Sequence, residues 1–477
     1  MTTAVVVGSG PNGLAAAVHL ARSGVDVQVL EAADTIGGGT RTAELTVPGV
    51  LHDLCSAFHP MVVGSPFLST LDLERYGLTW KWTEVDCAHP LDNGDAGLIH
   101  RSIDATADGL GSDGSRWKRM FGDIARNFDL LAADLMRPIA NVPRHPLALA
   151  AFGPRALLPA TVAARWWTTE KARALSGGVA AHAYTRLDRP ATSAVGLMIT
   201  ASGHRYGWPV AEGGSGSISQ ALASMLTDWG GKIDTGVTVR TVADIPDADV
   251  VLLDTSPRGA LGIYGDALPA RVTKAYNKFR SAPAAFKVDF AIDGDVPWTN
   301  PECARAGTVH LGSTFEEIAA TEKAVTLGEM PARPFVLIGQ QYLADPTRSA
   351  GSINPLWAYA HVPNGYTGDA TEAIIAQIER FAPGFRDKIV ATAVSTPADL
   401  QNSNANYIGG DIVGGANSEL QVLLRPRIAL DPYSVGIPGV YLCSASTPPG
   451  AGAHGMCGFN AAESALKYLR KSARVLR

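Results

Sequence analysis

The chain has 477 residues, of which 46% are hydrophobic and 18% charged, with a formal net charge of -5. That apolar content excludes global disorder, and the charge balance leaves no positive surplus to neutralise a phosphate backbone, so nucleic acid is not an expected partner. Five cysteines without a CxxC pair exclude a disulfide framework or zinc knuckle, and no apolar run is long enough to span a bilayer.

The length suggests roughly two or three domains, or one large split domain. The first residues lack a charged leader and cleavage site, so a cytoplasmic protein is expected. Residues 4–7 are an apolar run that reads as a buried parallel strand. Gly8-Ser9-Gly10-Pro11-Asn12-Gly13 follows, then a helix over 14–23 with Leu14, Val18 and Ala21 at helical spacing. A second strand over 25–30 ends at Glu31, completing a βαβ unit. In such a unit Gly8 permits a tight turn, Gly10 lets the backbone reach a pyrophosphate, and Gly13 lets the helix pack on the strand. The helix N-terminus favours the negative charge. Glu31, 18 residues past Gly13, stands where an acid accepts hydrogen bonds from a ribose hydroxyl. The pattern predicts dinucleotide binding through Gly8, Ser9, Gly10, Pro11, Asn12, Gly13, Glu31 and Ala32; the alternative is a glycine-rich turn with no ligand. A second glycine run, Gly37-Gly38-Gly39-Thr40-Arg41, comes next, and a domain that binds only NAD has no use for it.

Residues 61–204 read as mostly helical. Within them 146–167 is apolar, with Arg155 and Arg165 spaced through it, and Pro154 and Pro159 argue against one straight helix. A basic, apolar segment is a candidate for peripheral membrane contact; a helical wall is the alternative. The glycine cluster at 213–216 follows no apolar strand, so it reads as a turn that starts a helix over 218–229. Strands are expected at 230–234, 238–242 and 250–254, and alternation predicts four more at 286–292, 308–311, 335–340 and 356–361. Lys287 sits mid-strand. Buried, it would position water or take a proton; on the outer face it would be structural. His59, His310 and His361 are candidates to line a cavity as acid–base or orienting groups, and Trp357 and Tyr359 to wall it, or they are ordinary core. No HxH or HExxH spacing occurs, so no metal site is expected. The chain closes with a strand at 439–444, a Gly/Pro-rich loop, His454-Gly455-Met456-Cys457-Gly458, and an amphipathic helix over 460–469.

The second glycine run with Arg41 behind it resembles the flavoprotein oxidoreductases of the amine oxidase and phytoene desaturase superfamily. The stretches 49–60, 286–298, 306–312 and 442–458 extend that resemblance over nearly the whole chain, to the phytoene desaturase-like branch often labelled pyridine nucleotide-disulfide oxidoreductase domain-containing protein 2. The resemblance implies an α/β fold in which a Rossmann-type FAD-binding domain is assembled from residues 1–60, 205–265 and 425–477. An α+β substrate domain from 61–204 and 266–424 would cover the flavin. It further implies non-covalent FAD, with Gly38, Gly39, Thr40 and Arg41 near the pyrophosphate and ribityl chain and Val239 at the adenine. Ser444 would lie on the ribityl phosphate side, with Gly455 and Met456 at the helix end facing the flavin. Lys287 and His454 become the catalytic candidates. The implied reaction is hydride transfer from a C–H bond of an apolar, isoprenoid-like or other lipophilic substrate to flavin N5, with oxygen, a quinone or another acceptor reoxidising the flavin. Amine oxidation, redox-neutral double-bond isomerisation and, more distantly, a non-enzymatic lipid-binding chaperone are the alternatives.

Overall fold

The computed structural model describes residues 2–138, 142–417 and 420–475. Five parallel strands form the first sheet, in the order Val440–Leu442, Val250–Leu253, Thr3–Val7, Asp26–Leu30 and Lys232–Asp234. Segments from the start, middle and end of the chain thus meet in one sheet, as the resemblance implies. The strands are apolar on both sides because both faces are covered. Ala4 and Val6 pack toward the helices Pro11–Arg22, Gly216–Asp228 and Met456–Val475, while Val5 and Val7 pack toward Pro257–Tyr264 and Ala270–Asn277. Pro11 occupies the first turn of its helix, where its missing N–H costs nothing. The C-terminal helix lies directly on the first: a Cβ at Gly458 would come within 1.8 Å of the Asn12 carbonyl.

The second sheet has seven strands, in the order Ile389–Ser395, Ala284–Asp293, Ile353–Val362, Val336–Gly339, Ala306–Leu311, Val85–Pro90 and Ala96–Ile99. Its neighbours are antiparallel except Ala306–Leu311 with Val85–Pro90. Register separates the faces cleanly. Phe286, Val288, Phe290, Ile338 and Ala358 enter a core with Ile374, Ile378 and Phe381 of the helix Thr371–Phe381. Lys287 pairs with Tyr359 and Asp289 with Trp357, so these four share the opposite face.

One expectation changes. No strand forms at 238–242: Val237 N–H donates to the Glu31 carbonyl (2.8 Å), and Thr241 and Asp244 form a capping box on a short 3-10 turn, Val242–Asp244. The segment 61–204 is mostly helical, and its hairpin Val85–Pro90/Ala96–Ile99 extends the sheet built by the later segment. The region 146–167 breaks as its prolines require: the helix Pro146–Ala156 and the stretch Ala160–Trp166 meet at 87°. No single helix among the described residues is long and apolar enough to cross a membrane, although that bent pair passes by length and composition.

Candidate functional site

The first glycine loop is built by backbone approach. Gly8 leaves its strand at φ 103°, in the left-handed region that side chains avoid. A Cβ on Gly13 would lie 2.1 Å from the Gly8 carbonyl. The second glycine run folds against this loop: Gly37 N–H donates to the Ser9 carbonyl (3.0 Å), and a Cβ on Gly38 would lie 3.1 Å from Gly10 Cα. Glu31 is the latch. Its Oε2 accepts from Ser9 N (2.8 Å) and Ser9 Oγ (2.6 Å), and its Oε1 accepts from Ala33 N (2.9 Å). Arg41 reaches the same carboxylate at 3.5 Å and donates to the Ser403 carbonyl at 3.1 Å. Two buried polar atoms here have no protein partner, Asn12 Oδ1 and Arg41 Nε.

Asp254 completes the loop and was not anticipated. It follows the strand Val250–Leu253, and its Oδ2 accepts from Gly13 N at 3.0 Å. Burial pushes its pKa up to about 7, with the Glu31 charge adding to the rise and the Gly13 N–H opposing it. An acid immediately after an apolar parallel strand was the available signal, because the carboxyl ends of such strands face the ligand crevice.

One cavity of about 920 Å³ runs from this loop to the second sheet. Of the expected residues, Gly8, Gly10, Pro11, Asn12, Glu31, Ala32, Gly38, Gly39, Thr40, Arg41, Val239, Ser444, His59 and Tyr359 line it. Ser9 and Gly13 lie just behind the wall, committed to Glu31 and Asp254. The far end is apolar and aromatic, with Val195 and Ile199 of the helix Thr192–Tyr206 facing Leu337, Trp357 and Tyr359. Tyr184 and Tyr359 stand nearly parallel there, ring centres 6.4 Å apart and 16° between planes. An aromatic partner for the Lys287 region, not visible in the linear sequence, is thus supplied by strand register.

Several candidates stand outside the wall. Lys287 is buried but ion-paired with Asp289, whose other oxygen lies 3.5 Å from His52 Nδ1. His454 accepts from Met456 N (3.1 Å) and so caps the C-terminal helix; burial pulls its pKa down to about 4. Gly455 and Met456 pack with that helix against the first one, Gly455 facing Ala15, because the helices dock through small residues. The preceding loop, Ala451, Gly452 and Ala453, reaches the cavity instead. His361 is held by Glu322 (2.7 Å), and His310 lies one layer back, its Nε2 3.1 Å from His182 Nε2. His182, Tyr184, Trp208 and Tyr407 line the cavity and were missed. Their signals are weak, since each comes from a loop or helix end far in sequence from the sheet it faces. All five cysteines are free and buried; Cys55 lines the cavity, while Cys443 and Cys457 do not.

Residues 6–66 match the NAD(P)-binding Rossmann-like domain. Pyridine nucleotide-disulfide oxidoreductase domain-containing protein 2 of Rattus norvegicus is 24% identical, the match covering 98% of this chain and 94% of the rat protein. The chain is similar to that protein from end to end. Among solved structures, a putrescine oxidase bound to putrescine superposes with a TM-score of 0.64 at 18% identity, covering 98% of this chain and 99% of that one. Cyclohexylamine oxidase from Brevibacterium oxydans superposes at 0.60 and 17% identity, covering 100% of both chains. The fold is therefore the two-domain α/β arrangement of these oxidases, with its Rossmann-type domain assembled from three segments.

Proposed function

We propose that the chain is an FAD-dependent oxidoreductase acting on a largely apolar substrate. The observation that carries this reading is one continuous cavity, polar and glycine-walled at one end, apolar and aromatic at the other. The glycine end fits a dinucleotide. Two backbone turns meet there without side chains, Glu31 lines the wall where it would face a ribose, and Asn12 Oδ1 and Arg41 Nε await partners. When bound, FAD supplies the acceptor for a hydride leaving a substrate C–H bond, and oxygen, a quinone or another acceptor reoxidises it. Non-covalent binding fits the absence of Cys443, Cys457 and His454 from the wall. The apolar end excludes water from the reacting carbon and orients it through Trp357, Tyr359 and Leu337. In this reading Lys287 acts from behind the wall, holding Asp289.

Amine oxidation is the second reading, favoured by the near-parallel Tyr184 and Tyr359 rings in the cavity wall, which offer an aromatic surface against which an amine can lie. The test is the visible spectrum of the purified protein followed by anaerobic titration with lipophilic alcohols or polyenes and with neutral amines. A flavin spectrum bleached by the lipophiles supports the first reading, bleaching only by amines supports the second, and a colourless protein that does not take up FAD refutes both.

We also assign the region 146–167 to contact with a bilayer surface. Leu147 (86% exposed), Leu157 (60%) and Trp166 (43%) project beside Arg155 and Arg165. Leu147→Ser/Leu157→Ser is expected to lower sedimentation with anionic vesicles several-fold. Equal sedimentation of variant and wild type removes this assignment.

A further inference from the structure

The hydroxyl of Ser215 has one proton, and the geometry fixes where it goes. Ser215 Oγ lies 2.6 Å from the Ser56 carbonyl and 2.8 Å from His59 Nε2. A carbonyl only accepts, so Ser215 donates to Ser56 and accepts from His59. His59 therefore carries its proton on Nε2. The arrangement is held from behind: Ser215 N–H donates to Asp53 Oδ1 (2.7 Å), and Asp53 Oδ2 is paired with the buried Arg348 at 2.6 Å.

His59 is 1% exposed, and burial pulls its pKa down to about 4, so the ring is neutral near pH 7. Nδ1 is consequently a bare acceptor. Among the described residues no donor reaches it, and His59 lines the cavity. Such an acceptor is poorly served by a hydrocarbon and well served by a ligand that brings a proton.

We propose that His59 Nδ1 accepts a hydrogen bond from a hydroxyl or N–H group of the substrate, so that the substrate class is an apolar body bearing one such donor rather than a bare hydrocarbon. This rests on reading the cavity as the site of flavin and substrate. It makes His59 a substrate-binding residue and Ser215 a positioning residue that selects the tautomer.

The test compares farnesol with farnesyl methyl ether, which differ at the O–H, by calorimetric titration of the flavin-loaded protein. FAD content is read from the visible absorbance of the same samples. Wild type is expected to bind the alcohol about tenfold tighter than the ether. His59→Phe is expected to bind the two alike with FAD retained. Ser215→Ala keeps the imidazole but frees its tautomer, so its preference for the alcohol should shrink; this variant decides the matter if His59→Phe does not fold. Equal binding of both probes by wild type, no binding of either, or a preference that survives in both variants overturns the proposal. Loss of FAD from His59→Phe places the donor on the cofactor and likewise overturns it. A wild type that never holds FAD refutes the oxidoreductase reading, while the alcohol–ether comparison on that protein still reports on His59.

Discussion

Lys287 illustrates how a residue's surroundings decide its work. It sits on the cavity-facing side of its strand, opposite Tyr359, yet its ammonium is taken by Asp289. Removing one member of a buried pair leaves the other charge unpaired, at a cost of about 3–5 kcal/mol. Lys287→Met should therefore destabilise the protein by roughly that amount in denaturant unfolding, and Lys287→Met/Asp289→Leu should recover most of the loss. If the double variant, loaded with FAD, keeps wild-type rates of flavin reduction and reoxidation, Lys287 is structural. Glu31 invites a milder change. Its carboxylate accepts three hydrogen bonds from the loop, from Ser9 N, Ser9 Oγ and Ala33 N. Glu31→Gln keeps the shape but removes the charge, and each charge-assisted bond is worth about 1.5–3 kcal/mol. We expect FAD affinity, measured by equilibrium dialysis, to fall by about 10- to 100-fold. Undiminished affinity would remove Glu31 from the proposed ribose site.

At the scale of elements, the decisive contact is that of the first and last helices. Gly458 brings the C-terminal helix onto Asn12, which belongs both to the first helix and to the cavity wall. Gly458→Ala has nowhere to put its methyl, and overpacking of this kind costs about 1–3 kcal/mol. It should lower the melting temperature and weaken FAD retention together, because the added methyl pushes directly on Asn12 in the cavity wall. A variant that melts early but binds FAD as wild type would show that the loop is independent of the helix. The glycine loop itself was legible because Ser9, Glu31 and Gly37, which bond to one another through Ser9, all fall within or directly after the first strand–helix–strand unit, whose pattern is continuous in the chain. The hairpin at 85–99 was legible in principle, since Asn93-Gly94 is a turn signal and Gly94 has the positive φ such turns use. It was obscured by the helical character of residues 103–135, which dominates that part of the chain.

For the molecule as a whole, buried histidines set the response to acid. Burial holds His59, His89, His204 and His454 at about 4 and His182 at about 3, against 6.5 in the open chain. Above 6.5 neither state binds these protons, so stability is unaffected. Below it the unfolded chain takes them up and the folded protein does not, so stability falls as pH drops from 6.5 toward 4. Each such histidine contributes up to about 1.4 kcal/mol per pH unit across that window. Melting temperature should decline steeply over it, with unfolding accompanied by uptake of several protons. A flat profile between about pH 6.5 and about pH 5 would mean that these rings are hydrated in solution.

The sequence alone determined the glycine loop of the Rossmann-like domain: an apolar strand, three spaced glycines, a helix and a terminal acid are local features, and local geometry imposes their arrangement. It also determined that three separated segments share one sheet, through the resemblance carried by their motifs. Tertiary structure alone decided the apolar end of the cavity. Strand register placed Tyr359 against Lys287, the end of a short helix turned Tyr184 and His182 into the cavity, and a serine 156 residues away fixed the proton on His59. Those contacts join residues far apart in the chain. Hydrogen-bond direction and charge pairing depend on which atoms come within about 3 Å of one another, and packing of the two sheets sets that distance.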